Sequence, residues 1–321
     1  DELREWLSAD LAAIERDLDA VSGGDKRDLA EQAAAHLLGQ RGKRIRPICA
    51  LLGARFAGAH EDTRVRELAV ASELVHAATL LHDDVVDDSG MRRGKATANA
   101  LFGNPASVLV GDFLYSRAFQ MMVECGDMRI LDIVADATNV IAEGEVMQLM
   151  NMHDASLDQQ GYLKVIRSKT AKLFEASTRL PAVLVQSSAK IEAACAAYGQ
   201  ALGTAFQVID DVLDYDGDAN TLGKNLGDDL REGKSTLPLI FAMQRGTPSQ
   251  CALIKNAIEQ GDIGALADIA EIVRSTGAMQ ATRQAASDEA QLALHALEAM
   301  PASEYKTALA DIAEQLLDRQ N

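Results

Sequence analysis

The chain has 321 residues, of which 48% are apolar and 25% are charged, and its formal net charge at pH 7 is −17. This acidity excludes a general nucleic-acid-binding protein, because such proteins carry a basic surface. Only six prolines occur, and long runs of Ala, Leu, Glu, Gln and Met favour helix. The composition therefore predicts a helical protein with a sizeable core and a well-solvated surface.

The elements predicted in chain order are helices. Residues 1–38 predict one or two amphipathic helices broken at Gly23-Gly24, and a basic turn then leads into a helix that begins near Pro47. A clearer helix spans about 64–87. Further helices are predicted over about 105–124, 128–150, 158–178, 189–215, 236–245, 249–259, 263–275, 278–298 and 302–319. No strand, internal repeat or low-complexity linker is indicated, so we expect one helical domain over residues 1–321.

The cellular context is predicted from the cysteines and from the apolar stretches. The four cysteines form no CxxC pair and no zinc-binding spacing, which is typical of a reduced protein. No apolar stretch approaches the roughly 18 residues of a membrane-spanning helix, and no signal peptide opens the chain. The chain begins with Asp1, so we expect a trimmed N-terminus. We predict a cytoplasmic protein without stable membrane insertion.

Two acidic clusters end two of the predicted helices. In the first cluster, Asp83 and Asp87 are four residues apart and share one helical face, which His76 extends towards the N-terminus. In the second cluster, Gln207, either Asp210 or Asp211, and Asp214 again fall on one face. Carboxylates this close repel each other, and the helix dipole disfavours them at a C-terminal end. Both clusters therefore predict a bound cation.

The ligand type narrows the choice of cation. Carboxylates without His or Cys companions suit hard ions such as Mg²⁺, which completes its shell with water and substrate phosphates. The clusters therefore predict a phosphate-bearing substrate. Two solvated helix ends or a calcium site are the alternatives, although the EF-hand pattern is absent.

Basic and polar residues next to these clusters suggest diphosphate recognition, since Arg binds phosphate oxygens through two bonds and Lys acts as a point charge. Each one taken alone is also explained as a surface residue. The candidates are Lys43, Arg46, Arg92, Arg93, Lys169, Thr170, Lys224 and Lys234. No P-loop, GxGxxG motif or Ser-His-Asp arrangement is evident.

With these residues in view, the chain resembles the trans-prenyltransferases, or polyprenyl synthetases, nearly end to end. The motifs that carry the resemblance are Gly42-Lys43-Arg44-Ile45-Arg46-Pro47, Leu81-His82-Asp83-Asp84-Val85-Val86-Asp87, Met91-Arg92-Arg93-Gly94, Ser168-Lys169-Thr170-Ala171, Phe206-Gln207-Val208-Ile209-Asp210-Asp211-Val212-Leu213-Asp214 and Gly223-Lys224-Asn225-Leu226-Gly227-Asp228-Asp229. The stretches Ala96-Thr97-Ala98-Asn99 and Gly144-Glu145-Val146-Met147-Gln148-Leu149 are most like bacterial members that make octaprenyl products. One departure is Gln40-Arg41, where relatives often have glycines.

The resemblance implies an all-α isoprenoid-synthase fold, with antiparallel helices around a deep central cavity, in a homodimer. It implies about three Mg²⁺ ions per active site, with Asp83 and Asp87 holding two of them, Asp210 holding the third, and Asp84, Asp211 and Asp214 in support. Isopentenyl diphosphate would be bound by Lys43, Arg46, His76 and Arg93. The allylic diphosphate would be bound by Arg92, Lys169, Thr170, Gln207, Lys224 and Lys234. The catalytic set would be Asp83, Asp87, Lys169, Thr170, Gln207 and Asp210.

Product length is expected to depend on the residues one turn before the first cluster. Ala78 and Thr79 are small, and the resemblance implies that small residues there leave room for a long chain. We therefore expect an octaprenyl diphosphate made from farnesyl diphosphate for a quinone side chain, with transient membrane contact for product release. The alternatives are a shorter-chain farnesyl or geranylgeranyl diphosphate synthase, a class I terpene cyclase, and a non-catalytic subunit of a prenyl synthase.

Overall fold

A computed structural model describes residues 2–21, 29–40, 43–58, 62–92, 94–216 and 227–318. In these ranges the helices are α1 (Glu2–Trp6), α2 (Ser8–Val21), α3 (Leu29–Leu38), α4 (Ile45–Phe56), α5 (Thr63–Val86), α6 (Ala98–Phe102), α7 (Asn104–Glu124), α8 (Met128–Asn151), α9 (Gln159–Ile166), α10 (Lys172–Leu184), α11 (Ala189–Asp216), α12 (Asp228–Arg231), α13 (Leu237–Arg245), α14 (Pro248–Gln260), α15 (Leu266–Ser275), α16 (Ala278–Glu298) and α17 (Glu304–Leu317). A π-helix, Arg167–Ala171, joins α9 to α10.

Two short strands were not predicted. β1 (Met91–Arg92) and β2 (Lys95–Ala96) pair antiparallel, with Met91 opposite Ala96 and Arg92 opposite Lys95. Gly94 has φ +72°, a conformation that glycine adopts without strain. Strands of two residues are too short to produce an alternating pattern, so the sequence carried no signal for them.

The chain divides into two compact units, each built from separate stretches of sequence. The first comprises the described residues of Asp1–Asp136, Leu173–Ala196 and Ala299–Leu309. The second comprises those of Ala137–Lys172, Ala197–Glu298 and Ala310–Asn321. The single domain expected over residues 1–321 stays a prediction.

In the first unit, α5 packs against α4 and α7. Its residues Leu68, Leu74 and Leu81 are fully buried, as expected for an apolar stripe at helical spacing. The last turns of α5 are also tied to α7, since Ser107 donates a hydrogen bond of 2.9 Å to the carbonyl oxygen of Leu81. This packing fixes the helix end that carries Asp83.

In the second unit, α11 lies between two apolar clusters. Val212 belongs to a cluster with Leu239 of α13 and Ile254 of α14. Val208 and Leu213 belong to a second cluster with Ile240 of α13. Burial of such side chains contributes about 1.5–3 kcal/mol each, which fixes the helix that carries the second acidic cluster.

The structure describes the state of the cysteines and the length of the apolar helices. All four cysteines carry free thiols, and three of them are buried. Across the described part of the chain, no helix is both long and apolar enough to span a bilayer.

Close packing in the first unit makes a stability prediction. A Cβ on Gly53 of α4 would lie 2.9 Å from the carbonyl oxygen of Thr178 in α10. Because that oxygen belongs to the backbone, we expect Gly53→Ala to lower the free energy of unfolding by about 1–3 kcal/mol, measured by urea denaturation. Gly90→Ala is the control, since a Cβ there meets nothing within 4 Å. Equal stabilities of the two variants would contradict this account of the contact.

Candidate active site

The first acidic cluster lies at the C-terminal end of α5. The backbone N–H of Asp87 caps the helix with a bond of 2.8 Å to the carbonyl oxygen of Asp83. Asp83 and Asp87 therefore occupy successive turns, and both side chains are half-buried. The structure brings this predicted pair together on a helix end that keeps access to solvent.

Asp84 has a different environment. It is 2% exposed, and Arg92 donates to both of its oxygens, with an Nη2 to Oδ1 distance of 2.7 Å. Burial raises the pKa of the Asp84 carboxyl, and the Arg92 guanidinium opposes that rise. Both oxygens of Asp84 thus contact Arg92. The predicted support of a metal ion by Asp84 stays a prediction, and so does the predicted binding of diphosphate by Arg92.

The hairpin that carries Arg92 is tied to the end of α5 by two residues without a predicted role. Thr97 donates a hydrogen bond of 2.8 Å to the carbonyl oxygen of Ser89. Asn99 donates to the same oxygen at 3.1 Å and to the carbonyl oxygen of Asp84 at 3.3 Å. Thr97 also caps α6. The sequence did carry a signal for Thr97, because threonine is a preferred residue at the position directly before a helix.

The basic turn before α4 exposes one lysine and buries one arginine. Lys43 is exposed, whereas Arg44 is buried and has φ 51°. Arg44 pairs with Glu15 and Glu73, each at 2.7 Å. Spacing along the sequence predicted no role for Arg44, because its two partners lie 29 residues away on either side.

Arg46 and His76 are the remaining described candidates for the isopentenyl diphosphate site. The Arg46 guanidinium lies 4.2 Å from the centroid of the Phe174 ring, a cation–π contact. His76 is half-buried on α5. The fourth candidate, Arg93, lies outside the described residues, as does Lys224 of the allylic site.

The two positions predicted to control product length differ in exposure. Ala78 is completely buried in the first unit, whereas Thr79 is half-buried. The Thr79 hydroxyl donates a hydrogen bond of 2.7 Å to the carbonyl oxygen of His76. Thr79 is therefore the more accessible of the two positions.

The second acidic cluster combines one accessible and two buried carboxylates. Asp210 is half-buried, whereas Asp211 is 3% exposed and Asp214 is completely buried. Gln207 donates a hydrogen bond of 2.9 Å to Oδ1 of Asp211, and the Tyr162 hydroxyl donates to Oδ2. Tyr162 was not predicted, because it lies 49 residues away on α9.

The pKa of the Asp211 carboxyl reflects this burial. Burial raises the pKa of the Asp211 carboxyl to about 8, and the negative charge of Asp229 adds to the rise. The hydrogen bonds from Tyr162 and Gln207 oppose it. Asp211 is therefore a buried group held by neutral donors, unlike Asp84, which is held by a cation.

The π-helix brings further predicted residues to the second cluster. Thr170 donates a hydrogen bond of 3.1 Å to the side-chain oxygen of Gln207, which in turn donates to Asp211. Lys169 pairs with Glu145 of α8 at 3.0 Å. Hydrogen bonds thus connect Thr170, Gln207 and Asp211 in one chain. Lys169 directly precedes Thr170 in the π-helix.

Lys234 lies in the segment that follows α12. Its backbone N–H donates to the carbonyl oxygen of Asp229 at 2.8 Å, and its ammonium pairs with Glu232. The Asp229 backbone N–H donates to Oδ2 of Asp214 at 3.3 Å. This segment is therefore linked to the second acidic cluster.

The donor sets fit Mg²⁺ better than a metal held by protein alone. Among the described residues, no group of three His, Cys, Asp or Glu side chains converges to hold an ion. Mg²⁺ needs only one or two carboxylates when water and phosphate complete its shell. Asp83 with Asp87 in the first unit, and Asp210 in the second, are half-buried carboxylates that meet this need.

The contact between Tyr162 and Asp211 gives a prediction on stability. Tyr162→Phe removes a donor from a buried acceptor, so we expect the free energy of unfolding to fall by about 1–3 kcal/mol in thermal and urea denaturation. The control is Tyr305→Phe, which keeps the stacking of that ring on Trp6, with centroids 5.4 Å apart. A Tyr162→Phe protein as stable as the control would show that the contact contributes nothing.

A family profile and several known proteins are similar to this chain over most of its length. The profile of the polyprenyl synthetase family matches residues 27–308. The octaprenyl diphosphate synthases of Escherichia coli (strain K12) and Haemophilus influenzae are 46% and 47% identical over 320 residues, which cover 99% of this chain and 98% and 97% of those proteins. A solved polyprenyl synthase from Caulobacter crescentus CB15, complexed with calcium and isoprenyl diphosphate, matches with a TM-score of 0.94 and 43% identity over 100% of this chain and 98% of that chain.

These similarities confirm the predicted all-α isoprenoid-synthase fold and the resemblance on which it was based. The chain belongs to the polyprenyl synthetase family and is a trans-prenyltransferase that condenses isopentenyl diphosphate with an allylic diphosphate.

Proposed function

We propose that this enzyme uses Mg²⁺ to extend farnesyl diphosphate with isopentenyl diphosphate to all-trans octaprenyl diphosphate, the precursor of a quinone side chain. The observation that carries the metal and diphosphate chemistry is the half-buried pair Asp83 and Asp87 on successive turns at the end of α5. The octaprenyl product is supported by the two bacterial relatives, both of which are octaprenyl diphosphate synthases.

In this proposal Asp83 and Asp87 hold two Mg²⁺ ions and Asp210 holds the third. When bound, Mg²⁺ neutralises the charge that develops on the departing diphosphate. The calcium and isoprenyl diphosphate in the Caulobacter crescentus protein support a divalent ion beside a diphosphate. Asp84, Asp211 and Asp214 support these ligands from buried positions.

The basic residues divide between the two substrates. Isopentenyl diphosphate is bound by Lys43, Arg46, His76 and Arg93. The allylic diphosphate is bound by Arg92, Lys169, Thr170, Gln207, Lys224 and Lys234. Fixed cations of this kind stabilise a leaving diphosphate without having to reorganise during the reaction.

The chain's own residues then have three tasks. Lys169, Thr170 and Gln207 place polar groups beside the allylic carbon as its bond to oxygen breaks. Apolar faces such as Leu74 to Leu81 exclude water, which would otherwise quench the cation. The proton lost after condensation passes to the departing diphosphate, so the proposal assigns no side chain as a dedicated base.

Exposed apolar side chains support a homodimer. On α7, Leu109 is 66% exposed and Phe113 is 44% exposed. In the second unit, Leu149 and Met150 of α8 are 57% and 77% exposed. Contiguous apolar patches mark association surfaces, and Leu109 and Phe113, four residues apart, share one face of α7. A cytoplasmic location, with transient membrane contact for product release, completes the proposal.

The direct test is a product assay. The purified chain is incubated with Mg²⁺, farnesyl diphosphate and labelled isopentenyl diphosphate, and the dephosphorylated products are resolved by length. We expect a single octaprenyl product, loss of incorporation when EDTA removes the metal, and a rate at least ~100-fold lower in Asp83→Asn, because a transition-state interaction is removed.

Each other outcome excludes a specific part of the proposal. Products that stop at geranylgeranyl diphosphate would refute the long-chain product and keep the reaction. Full activity in the presence of EDTA would refute the proposed requirement for Mg²⁺. No incorporation with several primers would revive the interpretation as a non-catalytic subunit.

Product length also yields a prediction at Ala78 and Thr79. A tyrosine at either position is expected to shorten the product, because its ring blocks the space one turn behind Asp83. Because Thr79 is half-buried whereas Ala78 is fully enclosed, we expect only Ala78→Tyr to cost also about 1–3 kcal/mol of stability from overpacking. Product chromatography and thermal denaturation measure both effects. An unchanged product distribution in both variants would refute the assignment.

A further inference from the structure

Among the described helices, the segment between α9 and α10 is the one π-helix. It spans Arg167–Ala171 and carries both Lys169 and Thr170. A π turn inserts a residue into the α-helical ladder, and such insertions recur at functional sites because they redirect side chains at a cost in regular bonding. The conformation of this segment therefore needs support from its neighbours.

Gly144 of α8 supplies the first support. A Cβ at Gly144 would lie 2.6 Å from the backbone nitrogen of Lys169 and 2.9 Å from the Cβ of Ser168. Backbone atoms cannot move aside as a flexible side chain does, so only glycine permits α8 to approach the π-helix this closely. The backbone at Lys169 is thus held directly against α8.

The next residue of α8, Glu145, supplies the second support. Its Oε2 lies 3.0 Å from Nζ of Lys169, and the two side chains are 27% and 18% exposed. A partly buried pair interacts more strongly than an exposed one, since the surrounding dielectric is lower. Consecutive residues of one helix therefore contact both the backbone and the ammonium group of Lys169.

We propose that Glu145 is a positioning residue that holds the Lys169 ammonium for the allylic diphosphate, with Gly144 fixing the backbone beneath it. This rests on the proposed role of Lys169. A lysine side chain has a flexible four-carbon stem and loses rotamer entropy when it is fixed. Glu145 meets that cost before the substrate binds. Because an ammonium has three N–H donors, it can keep Glu145 while it donates to a phosphate oxygen.

The test is Glu145→Gln, which keeps the side-chain shape and removes the charge. We expect kcat/KM for farnesyl diphosphate to fall about tenfold. The reason is that a charge-assisted hydrogen bond is roughly twice as strong as the neutral one that glutamine would make. The KM for isopentenyl diphosphate and the melting temperature should stay unchanged. The matched control is Glu143→Gln, one residue before Gly144, whose exposed carboxylate pairs with Asn139 of the same helix and should have no effect.

A double-mutant cycle separates this inference from the role of Lys169. If Glu145 acts through Lys169, Glu145→Gln has no further effect in a Lys169→Ala background. Some variants could be too slow for a kinetic assay. For these, calorimetry measures the affinity for an unreactive thio analogue of farnesyl diphosphate, and the same double-mutant cycle is built from the binding free energies. Gly144→Ala should lower the same parameters as Glu145→Gln.

The outcomes are distinct. Equal effects of Glu145→Gln in both backgrounds would overturn the positioning role alone. A wild-type rate in Lys169→Ala would overturn the proposed function of Lys169 instead. A fall in melting temperature with unchanged kinetics in Glu145→Gln would make the pair purely structural.

Discussion

The carboxylates at the end of α5 repel one another, and the local structure depends on how that repulsion is offset. Three of them lie within five residues, at the helix end where the dipole also disfavours negative charge. The protein neutralises the middle one, Asp84, by burying it against Arg92. That ion pair requires the chain to turn back as a hairpin, and Thr97 and Asn99 hold the hairpin in place. Asp83 and Asp87 are then left accessible on adjacent turns.

The second unit meets the same constraint with different chemistry. Asp211 is buried and accepts hydrogen bonds from two neutral donors, the Tyr162 hydroxyl and the Gln207 amide. Neutral donors offset burial less than a charge does, and the pKa of Asp211 accordingly rises to about 8. Since Gln207 also accepts a hydrogen bond from Thr170, the bonds that stabilise the aspartate also orient residues proposed to contact the substrate. Stability and positioning are thus served by one set of contacts.

These contacts explain what the sequence could and could not predict. Helical periodicity located the helices and both acidic clusters, because residues four apart on a helix must share a face. The same reasoning could not assign Arg44, Tyr162 or Glu145, whose partners lie 29, 49 and 24 residues away. Spacing carries no information about contacts between distant elements. The π-helix was likewise merged into a continuous helix over about 158–178, since one inserted residue barely disturbs the apolar pattern.

Exposure also divides the aspartates of each motif into two kinds. A Mg²⁺ ion keeps several waters and gains phosphate oxygens, so its protein ligands must lie where water and substrate can reach them. Asp83, Asp87 and Asp210 are half-buried and satisfy this condition. Asp84, Asp211 and Asp214 are almost fully enclosed, and in the proposed function they fix the helix ends that carry the accessible carboxylates. Each acidic cluster therefore combines accessible carboxylates, which the proposal assigns to the metal, with buried ones, and helical spacing alone does not reveal this difference in burial.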